Sequence, residues 1–343
     1  MRIVIATTYT IPAFSGGWTT PLDLLGDDHQ AMYVVRNLKA GTKTVENVKC
    51  VGAGAVFGFE KTWSRGDKYR HALIQRLFRD ALKKHFHHFK ADFVLCLDPE
   101  AGYAAMESDL PYAMRFHSKL SPEDRKPPFD TLMERAIFST ACPATHIPDI
   151  EILPHNQDLS RFSYLEADSA ERALLLTSID RIHEPEVFIE GVMLSRTMKG
   201  DIVGTGRERK KIESICRKTG GRVRCLSPVP RLSVPELMNR YQIGVATVLE
   251  VSPTVYQMKV NAYMASGLYT LVKPWTHIAS EAPDLIGTFT TPRDLADRFD
   301  YLSCNWQATL ETRRKALKWI HENYSVEIPR KRFNEILSEK FSL

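Results

Sequence analysis

Short apolar runs alternate with amphipathic stretches along the whole chain, and this alternation limits the possible folds more than any other feature. Arg2 to Thr7 reads as a strand, a loop holds Ser15-Gly16-Gly17-Trp18, and Thr19 to Leu25 reads as a short helix. Met32 to Val35, Val48 to Val51, Phe93 to Leu97, Tyr112 to Phe116, Ile137 to Ala141 and Ile150 to Leu153 repeat the strand signature, with a long amphipathic helix predicted over Asp67 to Phe89. Buried strands separated by helices require a parallel sheet covered on both faces.

The same grammar restarts in the second half. Leu174 to Ser178 is a strand, Glu186 to Ser195 a helix, and Gly200 to Val203 a strand ending in Gly204-Thr205-Gly206. Glu208 to Thr219 is helical, Val223 to Leu226 a strand, Val234 to Tyr241 a helix capped by Ser233, and Ile243 to Val248 a strand. A last helix spans Leu310 to Glu322. At 343 residues the chain is long for one core, so two Rossmann-like domains in tandem are expected, joined in the polar stretch Ser160 to Arg172.

Composition narrows the class of protein. Hydrophobic residues make up 43% and charged residues 25%, which is ordinary for a globular chain. No apolar run reaches the roughly 18 residues of a membrane span, and Met1 to Ala6 enters a strand rather than a signal peptide. The cysteines at 50, 96, 142, 216, 225 and 304 form no Cys-x-x-Cys pair, which predicts reduced thiols and a cytoplasmic setting. Lys and Arg total 46 against 41 Asp and Glu, a net +5 that permits an anionic ligand without implying nucleic acid.

The segment Lys259 to Val272 joins a helix, a glycine stop and a buried strand. Met258, Ala262 and Ala265 share a helical face, Gly267 suits the position after the last turn, and Leu268 to Val272 is apolar. Such junctions lie where open parallel sheets bind nucleotides.

Four stretches occur in the order of a known family. They are Ser15-Gly16-Gly17, Leu153-Pro154-His155-Asn156-Gln157-Asp158-Leu159-Ser160-Arg161-Phe162, Ile202-Val203-Gly204-Thr205-Gly206-Arg207-Glu208, and the segment from Lys259 to Val272. Asn323-Tyr324-Ser325-Val326 adds a fifth. Together they resemble the GT-B glycosyltransferases of the large retaining, nucleotide-sugar-dependent group (family 4-like), over nearly the whole chain. The resemblance implies an α/β fold of two Rossmann-like domains facing each other across a cleft, with a C-terminal helix returning to the first domain. An acceptor domain over 1–160 plus 323–343 and a nucleotide-sugar domain over 161–322 follow. The implied reaction moves a hexose from a nucleotide-diphosphate sugar to a hydroxyl acceptor such as a glycan, with no cofactor beyond the donor substrate.

The resemblance also assigns residues. Gly16 and Gly17 let backbone N–H groups approach a diphosphate at a helix start, although the pair reads equally as a flexible turn. Gly204-Thr205-Gly206 has the same two readings, and Arg209 breaks the G-x-G-x-x-G dinucleotide fingerprint. His117 matches the histidine that contacts the transferred sugar, and strand alternation puts Arg115 on the same side. Pro154 to Phe162 reads as structural, with Asp158 capping the next turn.

The family meets the charge on the departing diphosphate with an arginine after the second domain's first strand and a lysine soon afterwards. Arg181 matches the arginine. Ile182-His183-Glu184-Pro185-Glu186 holds no lysine, which leaves Arg207 and Lys259 as substitutes. The base would lie by Ser227, Pro228 and Val229, with GDP leaned over UDP. Where the family has a ribose-binding glutamate this chain has Ala262, so Thr254, Tyr256 and Gln257 are the remaining candidates. Lys259→Ala is expected to weaken nucleotide binding and Ala262→Glu to strengthen it. Retaining transfer on one face needs no carboxylate pair, unlike glycoside hydrolysis. No Asp-x-Asp follows a strand, so no metal is implied.

A monomer without nucleic-acid partners is expected. The helix over 67–89 carries Lys68, Arg70, Arg76, Arg79, Lys83, Lys84, His85, His87 and His88. A sheet-covering helix with cations near its C-terminus is favoured over a membrane-surface helix. Other readings stay open: a GT-B-fold nucleotide-sugar epimerase, or a non-catalytic nucleotide-sugar binder. A nicotinamide-dependent oxidoreductase is disfavoured by the broken fingerprint.

Overall fold

The computed structural model describes residues 1–8, 16–36, 41–45, 48–53, 67–116, 128–141, 150–154, 156–250 and 257–341. Two compact units result, one from Met1–His155 with Glu327–Leu343 and one from Asn156–Val326. The sequence places these joins at 160/161 and 322/323. They fall elsewhere because Asn156 Nδ2 donates to the Ser325 carbonyl at 2.9 Å and Gln157 Nε2 to the Met258 carbonyl at 2.7 Å. Both ends of the second unit are thereby tied to it.

The first unit opens with β1 (Arg2–Thr7), α1 (Gly16–Leu25), β2 (Gln30–Val35), β3 (Gly41–Val45) and β4 (Val48–Gly52). Next come α2 (Asp67–Phe89), β5 (Phe93–Cys96), α3 (Pro99–Glu107), β6 (Tyr112–Phe116), α4 (Phe129–Arg135), β7 (Ser139–Ala141) and β8 (Glu151–Ile152). They build an eight-stranded sheet in the order β3-β4-β2-β1-β5-β6-β7-β8, parallel except for the edge pair β3–β4. Strand alternation divides β1 between the two faces. Val4 and Ala6 join one apolar cluster with Phe78, Leu82 and Phe86 of α2, while Ile3 and Ile5 join the other. The i, i+4, i+8 spacing of those α2 residues makes it a sheet-covering helix, with Lys83, Lys84, His87 and His88 exposed.

Helix α3 is absent from the sequence expectations, yet its start signal is present. Asp98 caps it by accepting from Ala101 N–H at 2.9 Å, and Pro99 occupies the first helical position. Asp98 also accepts from Thr8 N–H at 2.8 Å, pinning the end of β1.

The second unit contains β9 (Arg172–Leu176), α5 (Pro185–Leu194), β10 (Lys199–Val203), α6 (Arg209–Arg217), β11 (Val223–Leu226), α7 (Val234–Met238) and β12 (Ile243–Ala246). It continues through α8 (Met258–Ala265), β13 (Tyr269–Val272), α9 (His277–Glu281), β14 (Gly287–Thr288), α10 (Pro292–Cys304) and α11 (Leu310–Tyr324). The six-stranded sheet has the order β11-β10-β9-β12-β13-β14, all parallel. Chain order reverses between β9 and β12, so a crevice-forming switch point lies at their carboxyl ends. Helix α10 starts at a capping box of Thr291 and Asp294, another legible but unread signal. Helix α7 is shorter than its pattern predicts, and the Ser233 side chain makes no capping bond. Asp158, by contrast, does cap, accepting from Ser160 N–H at 3.1 Å.

Asp201, in β10, is a buried carboxylate with four donors. Arg172 Nη2 approaches at 2.6 Å, Arg224 Nε and Nη2 each at 2.7 Å, and Tyr241 Oη at 2.8 Å. Burial raises its carboxyl, but the Arg224, Arg172 and Tyr241 bonds outweigh burial and hold it below the usual carboxylate range. Asp201→Ala is expected to destabilise the unit by about 2 kcal/mol, because the Tyr241 hydroxyl is orphaned while the half-exposed arginines regain water. A depressed carboxyl stabilises above its unfolded value, near pH 4, and loses that stabilisation as pH falls through its folded value. Urea melts of both proteins across that acid range would show the difference shrinking; a constant difference would refute the charged network.

The chain ends in α12 (Glu327–Phe341), which belongs to the first unit and packs Phe333, Ile336 and Leu337 on the Ile3–Ile5 face of its sheet. Among the described residues no helix is long and apolar enough to cross a membrane.

Candidate functional site

The carboxyl ends of β9, β10, β11 and β12 gather the loops that hold most of the residues singled out from sequence. Helix α8 is fixed over them by Tyr263. Its hydroxyl accepts from Leu176 N–H at 2.8 Å and donates to the Val245 carbonyl at 3.3 Å, tying α8 to both switch-point strands. One turn earlier, Lys259 consequently lies over the residue after Leu176, and its Nζ donates to Thr177 Oγ1 at 3.0 Å. Lys259 keeps part of its surface exposed, yet protein crowds its ammonium. Burial pushes it down to about 7, with Asp180 opposing.

The loop after β9 is rigidly built. Asp180 Oδ1 accepts from Ile182 N–H at 3.0 Å, His183 N–H at 3.2 Å and His183 Nδ1–H at 2.8 Å, forming a short 3-10 turn over Arg181–His183. Leu249 N–H donates to the Ile182 carbonyl at 2.8 Å and Thr247 Oγ1–H to the His183 carbonyl, bracing the turn from beyond β12. Glu184, which ends it, is a non-glycine residue at φ +39°. Behind it Lys273 is 3% exposed, donates to the Thr290 carbonyl at 2.6 Å, and lies over the Trp275 and Phe289 rings. Lys273 also approaches Glu184 Oε2 at 4.0 Å.

The glycine turn after β10 interlocks with that loop. A Cβ on Gly204 would fall 1.8 Å from the Thr177 carbonyl oxygen, and one on Gly206 would fall 2.2 Å from that of Ile179. Ile179 N–H donates to the Thr205 carbonyl at 2.8 Å and Glu208 N–H to the Ile179 carbonyl at 3.1 Å. Backbone packing thus accounts for both glycines. Arg209, which breaks the dinucleotide fingerprint, donates through Nη1 to the Gly204 carbonyl and to the Leu226 carbonyl at 3.0 Å, stapling the ends of β10 and β11.

The predicted residues fare unequally. Lys259, in α8, rests its ammonium on Thr177 of the loop after β9. Arg181 and Arg207 are exposed at the tips of their turns. Pro228 is half-buried after β11, and Val229 packs on the apolar cluster below it. Gln257 caps the start of α8 and is buried, with neither amide atom hydrogen-bonded among the described residues. The amide of Asn261, one turn on, is in the same state. Gly16 and Gly17 form the first turn of α1, which starts three residues earlier than predicted. His117, Thr254 and Tyr256 lie outside the described residues. Arg115 is buried in β6, donating to Thr140 Oγ1 and to the Leu153 carbonyl, each at 3.4 Å.

Helix α8 differs from its one-faced pattern, since Val260 to Ala265 are all buried. Ala262 and Ala265 enter separate apolar clusters. Gly267, at φ +71°, ends the helix with Leu268 N–H bonded to the Tyr263 carbonyl at 3.0 Å, a Schellman closure. Ala262 shares an apolar cluster with Leu174, Val203, Leu237 and Leu268. That setting adds a stability cost to Ala262→Glu. A carboxylate introduced into that apolar cluster should cost about 3 kcal/mol of stability, read as a lower Tm without nucleotide. An unchanged Tm with tighter nucleotide binding would leave only the original expectation. Thr177, Asp180 and His183, which build the loop under Lys259, were not singled out from sequence, although an Asp-x-x-His turn after the unit's first strand is a visible signal.

No protein-family model matches the sequence, and no curated protein matches it either. Solved structures do resemble it. Anabaena HepE, in complex with UDP and glucose, superposes with a TM-score of 0.73 at 13% identity, covering 99% of this chain and 100% of that one. Sucrose-phosphate synthase from Thermosynechococcus elongatus gives 0.74 at 12% identity, covering 99% of each. A glycosyltransferase from Rickettsia africae gives 0.69 at 11% identity, covering 99% and 98%. These are GT-B structures, and this chain has the GT-B fold of two Rossmann-like units with a C-terminal helix in the first.

Proposed function

We propose that the protein is a glycosyltransferase that moves a hexose from a nucleotide-diphosphate sugar to a hydroxyl acceptor. The observation that carries this reading is Lys259, an ammonium held against Thr177 at the switch point of the second unit. A diphosphate placed there meets a fixed cation, and Arg181 and Arg207 at the neighbouring turn tips add positive charge. Gln257 brings a buried amide that makes no hydrogen bond among the described residues; a ligand hydroxyl bonded to it there recovers the about 1–3 kcal/mol that an unmet buried amide costs. Its place at the start of α8 suits a ribose or sugar hydroxyl now that Ala262 offers none. Departure of the diphosphate on the face that the acceptor attacks gives retention, and Lys259 and Arg181 supply its countercharge without a metal.

UDP leads the choice of base, since HepE is bound to UDP, with GDP second. Thermal-shift measurements with UDP, GDP, ADP and NAD test the reading. Stabilisation by one nucleoside diphosphate is expected, and stabilisation by NAD alone would sink it. Transfer from the matching nucleotide sugar to a panel of glycan acceptors then separates an enzyme from a non-catalytic binder. The apolar setting of Ala262 favours the binder as the second reading. Release of free nucleotide and sugar without any acceptor would instead favour an epimerase.

A further inference from the structure

We propose that His183, oriented by Asp180, is a ligand-contacting group of the diphosphate site: its Nε2 donates to a phosphate oxygen, and the nucleotide sugar is therefore bound with proton uptake. The proposal rests on the nucleotide-sugar reading above and adds a second titratable donor to Lys259.

Three observations carry it. His183 Nδ1–H is fixed on Asp180 Oδ1 at 2.8 Å, which directs Nε2 away from the carboxylate. Nε2 makes no hydrogen bond among the described residues, and 23% of the side chain is exposed, so the free nitrogen is accessible. The ring belongs to the same loop after β9 as Thr177, which Lys259 contacts, and lies close enough to Lys259 to feel its charge. A histidine whose one nitrogen is committed to a carboxylate presents the other in a defined direction, as positioned histidines do.

The charged surroundings set the sign of the pH dependence. Asp180 and Arg181 share the turn, Glu184 stands beside it with Lys273 behind, Lys259 comes from α8, and Glu250 follows β12. Burial and then Lys259 hold the imidazole below its ordinary value, against the pull of Asp180. Without ligand, His183 is thus biased towards its neutral form near neutral pH, and Lys259 is only partly protonated there. A bound diphosphate favours both protonated forms and raises both values. Such a site binds fully below the free-state values and weakens as pH climbs towards the bound-state ones.

The test is calorimetric titration with UDP-glucose, GDP-glucose and ADP-glucose between about pH 6 and 8.5, where their diphosphate diesters do not titrate. Each pH is run in two buffers of different ionisation heat. Wild-type protein should take up protons on binding whichever sugar nucleotide binds, with affinity falling as pH rises. His183→Ala should bind about tenfold more weakly near pH 6 and converge on wild type at the alkaline end, with reduced proton uptake. His183→Gln, which keeps a donor, should recover part of the affinity but not the histidine's share of the pH dependence. Should these variants misfold, ¹⁵N spectra of histidine-labelled wild type decide: Nε2 of His183 should move into the protonated range on saturation. Binding and proton uptake indifferent to His183, or an unmoved Nε2 resonance, would leave the pair as only a turn brace. Failure of wild type to bind any of the three sugars overturns the nucleotide-sugar reading as well.

Discussion

Lys259→Ala is expected to bind nucleoside diphosphates ten- to a hundredfold more weakly, the loss of about 1.5–3 kcal/mol that accompanies a charge-assisted hydrogen bond. The fold should survive. Lys259 contributes one bond, to Thr177 Oγ1, and its partly desolvated ammonium opposes folding as much as it supports it. The variant should therefore melt within a degree or two of wild type. Lys259→Arg separates charge from shape, since a guanidinium stays protonated at every accessible pH. It should keep part of the affinity while losing the alkaline fall-off above about pH 7 that a lysine held low imposes. Unchanged nucleotide binding in Lys259→Ala would reduce α8 to scaffold and leave only the fold standing.

Gly204→Ala should produce the largest loss of stability in the second unit. The added methyl would sit 1.8 Å from the Thr177 carbonyl oxygen, and the residue's φ of +154° disfavours any side chain. Backbone cannot yield as a side-chain tip does, so the loops after β9 and β10 must part. We expect a cost of about 3 kcal/mol or more, a fall in Tm on the order of 6–12 °C for a unit of this size. Because the same movement displaces Thr177 from Lys259, nucleotide affinity should fall too. Thr205→Ala is the control: its side chain is exposed, and it should change stability by no more than about 0.5 kcal/mol. A Gly204→Ala protein as stable as wild type would mean that the two loops do not interlock.

Most elements were legible because their signals are local. Alternating apolar runs gave β1, β2, β5 and β6, and the period of Phe78, Leu82 and Phe86 gave α2 its covered face. Local capping signals at Asp98 and Thr291 were equally available and mark two of the helices that went unread. Edge strand β3, Gly41 to Val45, has no apolar run to announce it and exists through its pairing with β4. At the site, Lys259 was legible from its place before a helix–glycine–strand junction. Its partners were not, because Thr177 lies 82 residues away and meets it only through the order of β9 and β12.

The sequence alone determined a two-unit α/β chain, the glycine stop at Gly267 and the weight placed on Lys259, since periodicity, turn chemistry and charge are properties of short segments. Tertiary structure decided what those residues face. It turned Ala262 into an apolar cluster and buried Arg115. It gave Gly204 to loop packing and set Asp180 and His183 beside Lys259. The reason is physical: parallel strands pair residues far apart in sequence, so which side chains share a site depends on strand order and register.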